Sequence, residues 1–159
     1  MVLEADDLPA GWSERPNSDD DDAELICAEP SVQPERRVQR TFARGRAPLF
    51  THVVSRYASG DAEAYMDELR TTLADCDTAI ASGVAADVSD AGLPGYGDDS
   101  EAVLIASAPG QRIEFAGYVV YARHGDVISH AVYANLGDAD AAEAEALADA
   151  AEERLQTQE

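Results

Sequence analysis

The chain has 159 residues, enough for one domain with a real core, and an ordinary apolar content of 45%. Its net charge is −21 and all 11 basic residues are arginine, a field that repels DNA, RNA and anionic lipid and argues against any of them as a direct partner. No run of 18 uncharged apolar residues exists, so no membrane-inserted segment is expected.

Met1–Asp7 lacks the basic start and apolar stretch of a signal peptide, although a removed signal would leave no trace. Residues 1–25 read as a mostly polar N-terminal segment and 26–159 as a single domain. Leu8-Pro9-Ala10-Gly11-Trp12 is a turn that carries the only tryptophan, an anchor for that segment. Asp19-Asp20-Asp21-Asp22 is a like-charge run whose consecutive carboxylates do not match the alternating ligands of a calcium loop, so it reads as solvated.

Val38–Ala43 alternates apolar and polar and predicts a strand. Arg36, Arg37, Arg40, Arg44 and Arg46 make this the one basic region, able to hold an anion or to pair with surrounding acids. Gly45 and Pro48 mark a turn into a second strand, Leu49–Tyr57, antiparallel to the first because the connection is short. Ser59-Gly60-Asp61 starts a helix with Asp61 as its N-cap, and Ala62, Tyr65, Met66, Leu69, Leu73 and Cys76 fall on its inner face. Thr78–Val88 is ambiguous, with room for a short strand.

Asp90–Ser100 is a glycine-bearing loop without phosphate-loop spacing and without a lysine. Glu101–Ser107 predicts a further strand. Phe115–Ala134 then reads as two apolar strands folded on His124-Gly125-Asp126. Both faces of that hairpin carry bulky residues, which puts it inside a sheet rather than at an edge. Asp138 or Asp140 caps a final helix, and Asp140 with Glu143 has capping-box spacing. Its stripe of Ala144, Leu147, Ala148, Ala151 and Leu155 is narrow, and its other face is acidic.

Chemistry is sparsely marked. Of the three histidines, His52, His124 and His130, the last two should not meet as zinc ligands because His124 lies at the hairpin turn and His130 well down the return strand; neither Cys27 nor Cys76 sits in a Cys-x-x-Cys pair, and no nucleophile elbow occurs. No cofactor motif is present. A Cys76–His52 catalytic pair is conceivable unless Cys76 is bridged to Cys27, since a bridge removes the thiolate. Two cysteines allow one disulfide or two free thiols, and composition leaves that choice open.

The order of features resembles the PknH-like extracellular sensor domain family of actinobacteria and related secreted lipoproteins. The resemblance lies in Leu8–Trp12 before Cys27, the helix after Ala58–Ala62 that ends in Cys76, Leu93–Ser100 before a strand, and Val119–Ile128 before an alanine-rich helix. The absence of lysine and the abundance of alanine fit a GC-rich genome. The resemblance implies an α+β two-layer sandwich, mainly an antiparallel β-sheet with two main helices packed on one face. It also implies an extracytoplasmic location, a Cys27–Cys76 disulfide, and ligand binding in a cleft without catalysis. Where the kinase sensor domains carry two disulfides, only one is possible here.

The expected function is therefore a non-catalytic, sensor-like domain, secreted or surface-associated, for an unknown small ligand or protein partner. Tyr118, Tyr121, Tyr133 and Arg123 of the hairpin are its candidate ligand-binding residues. The alternative is a cytoplasmic acidic module that docks a basic partner. The lesser alternative is a small enzyme using carboxylates or Tyr/His in a cleft between sheet and helices.

Overall fold

The computed structural model describes residues 1–17, 27, 30–81 and 83–157. The Asp19–Asp22 run lies outside them. A short turn of 3-10 helix (Ala5–Asp7) leads into strand β1 (Ser13–Arg15). Strands β2 (Arg36–Ala43) and β3 (Leu49–Arg56) follow as a hairpin, then helix α1 (Asp61–Ala74). Strands β4 (Thr78–Ala81), β5 (Val84–Asp90), β6 (Asp99–Ser107), β7 (Phe115–His124) and β8 (Val127–Leu136) come next, and helix α2 (Ala141–Gln156) closes the order. The ambiguous stretch after α1 thus resolves into a two-strand hairpin, with Gly83 in the left-handed region (φ 75°) at its turn.

The eight strands make one antiparallel sheet in the order β1-β2-β3-β8-β7-β6-β5-β4. The α+β class and the antiparallel sheet are as the sequence predicts, and β7–β8 sits at its centre. Residues opposite each other include Tyr118 and Tyr133, and Tyr121 and His130. Gly125 turns the hairpin at φ 56°, a region that glycine enters without steric cost.

The helices do not share one face. Tyr118, Val120 and Ala122 of β7 pack with Ala144, Leu147, Ala148 and Ala151 of α2. Val119 and Tyr121, the alternate residues of the same strand, pack with Tyr65, Met66 and Leu69 of α1. Side chains alternate between the two faces of a strand, so α1 and α2 lie on opposite sides of the sheet. The two-sided bulk of β7 is what two covering helices require. Leu3, Leu8 and Trp12 join the α2-side core, so the N-terminal residues pack as part of this layer. Trp12 meets Phe50 edge to face, and the Arg44 guanidinium lies over the Trp12 ring, 5.3 Å from its centroid.

Both helix starts differ in detail from expectation. Gly60, at φ 85°, occupies the N-cap of α1, and Asp61 is its first residue, without a side-chain cap bond. Asp140 does cap α2, accepting from the N–H groups of Ala142 and Glu143. The reciprocal half of a capping box is missing, because the Glu143 carboxylate is taken by Tyr133 and Arg44.

Gly117 is fixed by close approach rather than by φ. A Cβ there would lie 2.6 Å from the carbonyl oxygen of Tyr133 on β8. Gly117→Ala is expected to force β7 and β8 apart and to lower stability by about 1–3 kcal/mol in urea unfolding, the range for an overpacked core. An unchanged midpoint would mean that the strands separate without cost.

Candidate functional site

On the α1 face, β2 and β3 extend beyond the helix and leave a cleft of about 210 Å³. Its floor follows from strand register. Arg37 lies across from Ser55, and Val53 across from both Gln39 and His130. Arg37, Ser55, Val53, Ile128 and His130 all line the cleft. Tyr57 and Tyr65 close one side, with their rings 5.3 Å apart. The other wall is the Val32-Gln33-Pro34 segment, which enters β2.

That wall is tied at both ends. Ser31 donates its N–H to Glu68 of α1 at 2.7 Å and its hydroxyl to the same carboxylate at 2.8 Å. These two bonds hold the Glu68 carboxyl below the usual range. Glu35 N–H donates to the Arg56 carbonyl at 2.8 Å. Upstream, Cys27 is bridged to Cys76, just past the end of α1. The disulfide pairing implied by the resemblance is present, and it removes the thiolate that a Cys76–His52 catalytic pair would need.

The electrostatics of the cleft are unusual for so acidic a chain. Arg40 pairs with Glu14, and Arg44 with Glu143. The Arg37 guanidinium donates to the Gln39 amide oxygen at 3.2 Å, and no carboxylate among the described residues pairs with it. Behind it, His130 is 6% exposed and stacks on Tyr121 at 4.4 Å and 9°. Its Nε2 is buried and has no hydrogen-bond partner among the described residues. Burial first, then the positive charge of Arg37, lowers its pKa to about 3, so the ring is neutral at pH 7.

The predicted ligand residues do not meet at one place. Tyr118 and Tyr133 are buried on the α2 face, where the Tyr133 hydroxyl donates to Glu143 at 2.7 Å. Burial, that bond and the Glu143 charge push the Tyr133 phenol up to about 12. Tyr121 is fully buried on the α1 face beneath His130. Arg123 sits near the hairpin turn, 3.6 Å from Asp98, and donates to the Gly125 carbonyl at 3.4 Å. The hairpin instead supplies Ile128 and His130 to the cleft, and the tyrosines there are Tyr57 and Tyr65. Arg37 was visible in the sequence as one of a basic group. His130 carried no signal, because its significance lies in what it stacks on.

His124 and His130 lie apart along the hairpin, opposite Val127 and Tyr121 respectively, as their spacing implies. His52 lies on the α2 face, where Leu3 N–H donates to its Nδ1 at 3.1 Å and its Nε2 contacts the Ser129 hydroxyl at 3.0 Å. His124 contacts Glu152 at 2.8 Å and joins the hairpin turn to α2. Comparison with protein-family models, curated proteins and solved structures finds no match to this chain.

Proposed function

We propose that the chain is a non-catalytic ligand-binding domain of the sensor type, acting outside the cytoplasm, secreted or surface-associated. The observation that carries this reading is the cleft on the α1 face, where an arginine without a carboxylate partner among the described residues stands over a neutral histidine floor. Open polar groups beside apolar walls are the ordinary composition of a small-molecule site. Histidine stacked flat in the sheet, with no bonded nucleophile beside it, offers recognition rather than acid/base chemistry. The Cys27–Cys76 bridge supports an oxidising compartment. Among the described residues, no helix is long and apolar enough to cross a membrane.

Two measurements test the reading. Native mass spectrometry of protein taken gently from its own host should show a small bound species that is lost on denaturation. Alkylation of the same preparation under denaturing conditions should leave both cysteines unmodified until a reductant is added. Protein that carries no small molecule, and shows no protection by host metabolite extract in a thermal-shift assay, would end the binding reading. Immediate alkylation of both thiols would end the extracytoplasmic one.

A further inference from the structure

We propose that the α1-face cleft is selective for a small organic monocarboxylate, with its carboxylate on Arg37 and Ser55 and its apolar body along Val53, Ile128 and His130. The proposal rests on the binding reading and gives it a ligand class. Arg37 and Ser55 are directly opposite on β2 and β3, so a guanidinium and a hydroxyl project side by side from one face. A carboxylate accepts from both, and the guanidinium fork suits its two oxygens. The next residues along the same face are apolar or flat: Val53 behind Ser55, then Ile128 and His130 on the adjoining β8.

The charge of the ligand follows from which arginines reach the cleft. Arg36 and Arg56 are a registered pair on the same two strands as Arg37 and Ser55, but on the opposite face, where they line a separate cleft with Val38 and Val54. Among the described residues, Arg37 is thus the only arginine that lines the α1-face cleft. One local cation in a chain of net charge −21 matches one negative charge, and the surrounding field opposes a dianion such as a phosphate monoester. The size follows from the volume. About 210 Å³ is the space of roughly seven liquid waters, which fits a short chain or a single ring and not a peptide.

Titration calorimetry with straight-chain acids from acetate to octanoate, with benzoate, and with the matching primary amides tests this. Affinity should rise with chain length and level off once the body fills the cleft, and each amide should bind at least tenfold more weakly than its acid. Arg37→Gln should remove at least tenfold of the affinity for the acids and leave the amides unchanged. Arg36→Gln, the same charge change on the other face, should leave both unchanged, which separates direct contact from the general field. Acids and amides that bind equally, or equal losses from Arg37→Gln and Arg36→Gln, overturn the carboxylate assignment while the binding reading stands. If no acid binds but a host species co-purifies, the ligand class is wrong and the site is not. If neither occurs, both fall.

Discussion

Reducing the Cys27–Cys76 bridge is expected to lower the free energy of unfolding by about 4 kcal/mol. The two cysteines are 49 positions apart, and closing a loop of that length removes a large share of the conformational freedom of the unfolded chain. A domain of this size has roughly 5–15 kcal/mol of stability in total, so the loss is a substantial fraction of it. In a thermal melt it corresponds to a drop of roughly 8–16 °C. The effect is also local. Ser31 and its bonds to Glu68 are four residues from Cys27, and the cleft wall of Val32-Gln33-Pro34 follows directly. Backbone amides of that wall should therefore exchange with solvent faster after reduction, while those of central β7 change least. The Cys27→Ser/Cys76→Ser double variant should reproduce the melt of the reduced protein. A reduced protein that melts within about 2 °C of the oxidised one would show that the loop is already constrained without the bridge.

The architecture was legible where one local rule decided it. Val, Ile and Tyr on both sides of Gly125 marked the central hairpin, and Asp140 marked the start of α2. The sides taken by the helices were not legible, because the bulk on β7 is two-sided. Tyr118 and Tyr121 are equally good partners for a helix, and alternation says only that each face needs a cover. Asp61 was misread because Gly60 can adopt the left-handed conformation at the N-cap, which shifts the helix start by one residue. The site was half legible. The sequence grouped Arg36, Arg37, Arg40, Arg44 and Arg46, but which of them meet an acid depends on strand register and helix side, which bring Glu14 to Arg40 and Glu143 to Arg44. The tyrosines of the hairpin were chosen for their chemistry. Their alternation sent Tyr118 and Tyr133 to the α2 face and Tyr121 beneath His130, away from the opening.

Mild acid is expected to destabilise the protein through two buried histidines, by about 2 kcal/mol each at pH 5. His52 is wholly buried, and its Nδ1 accepts the Leu3 N–H, so the ring proton is on Nε2 and is donated to Ser129. Protonating Nδ1 would break the bond to Leu3 and put a charge in the core. Burial foremost, then the positive N-terminus, with Asp7 opposing, lowers the pKa of His52 to about 3. His130, on the other face, is lowered to about 3 by burial, Arg37 and His52. The sign follows from proton binding. Between an unfolded pKa of about 6.5 and the folded value, the unfolded chain takes up a proton that the native chain refuses, so stability is full above about pH 6.5 and falls as pH falls. The slope is about 1.4 kcal/mol per pH unit for each histidine. Relief of repulsion among the 32 acidic residues acts in the opposite direction, so substitution is needed to isolate the histidine contribution. His130→Phe keeps a flat ring against Tyr121 and removes the titrating group, and should reduce the loss between pH 6.5 and 5 by about 2 kcal/mol in urea midpoints. His52→Asn should reduce it by a similar amount, although at pH 7 it also weakens the hold on Leu3. Wild-type and His130→Phe proteins that lose stability in parallel would mean that His130 takes up its proton in the native state at ordinary pH. The neutral floor of the cleft would then be wrong as well.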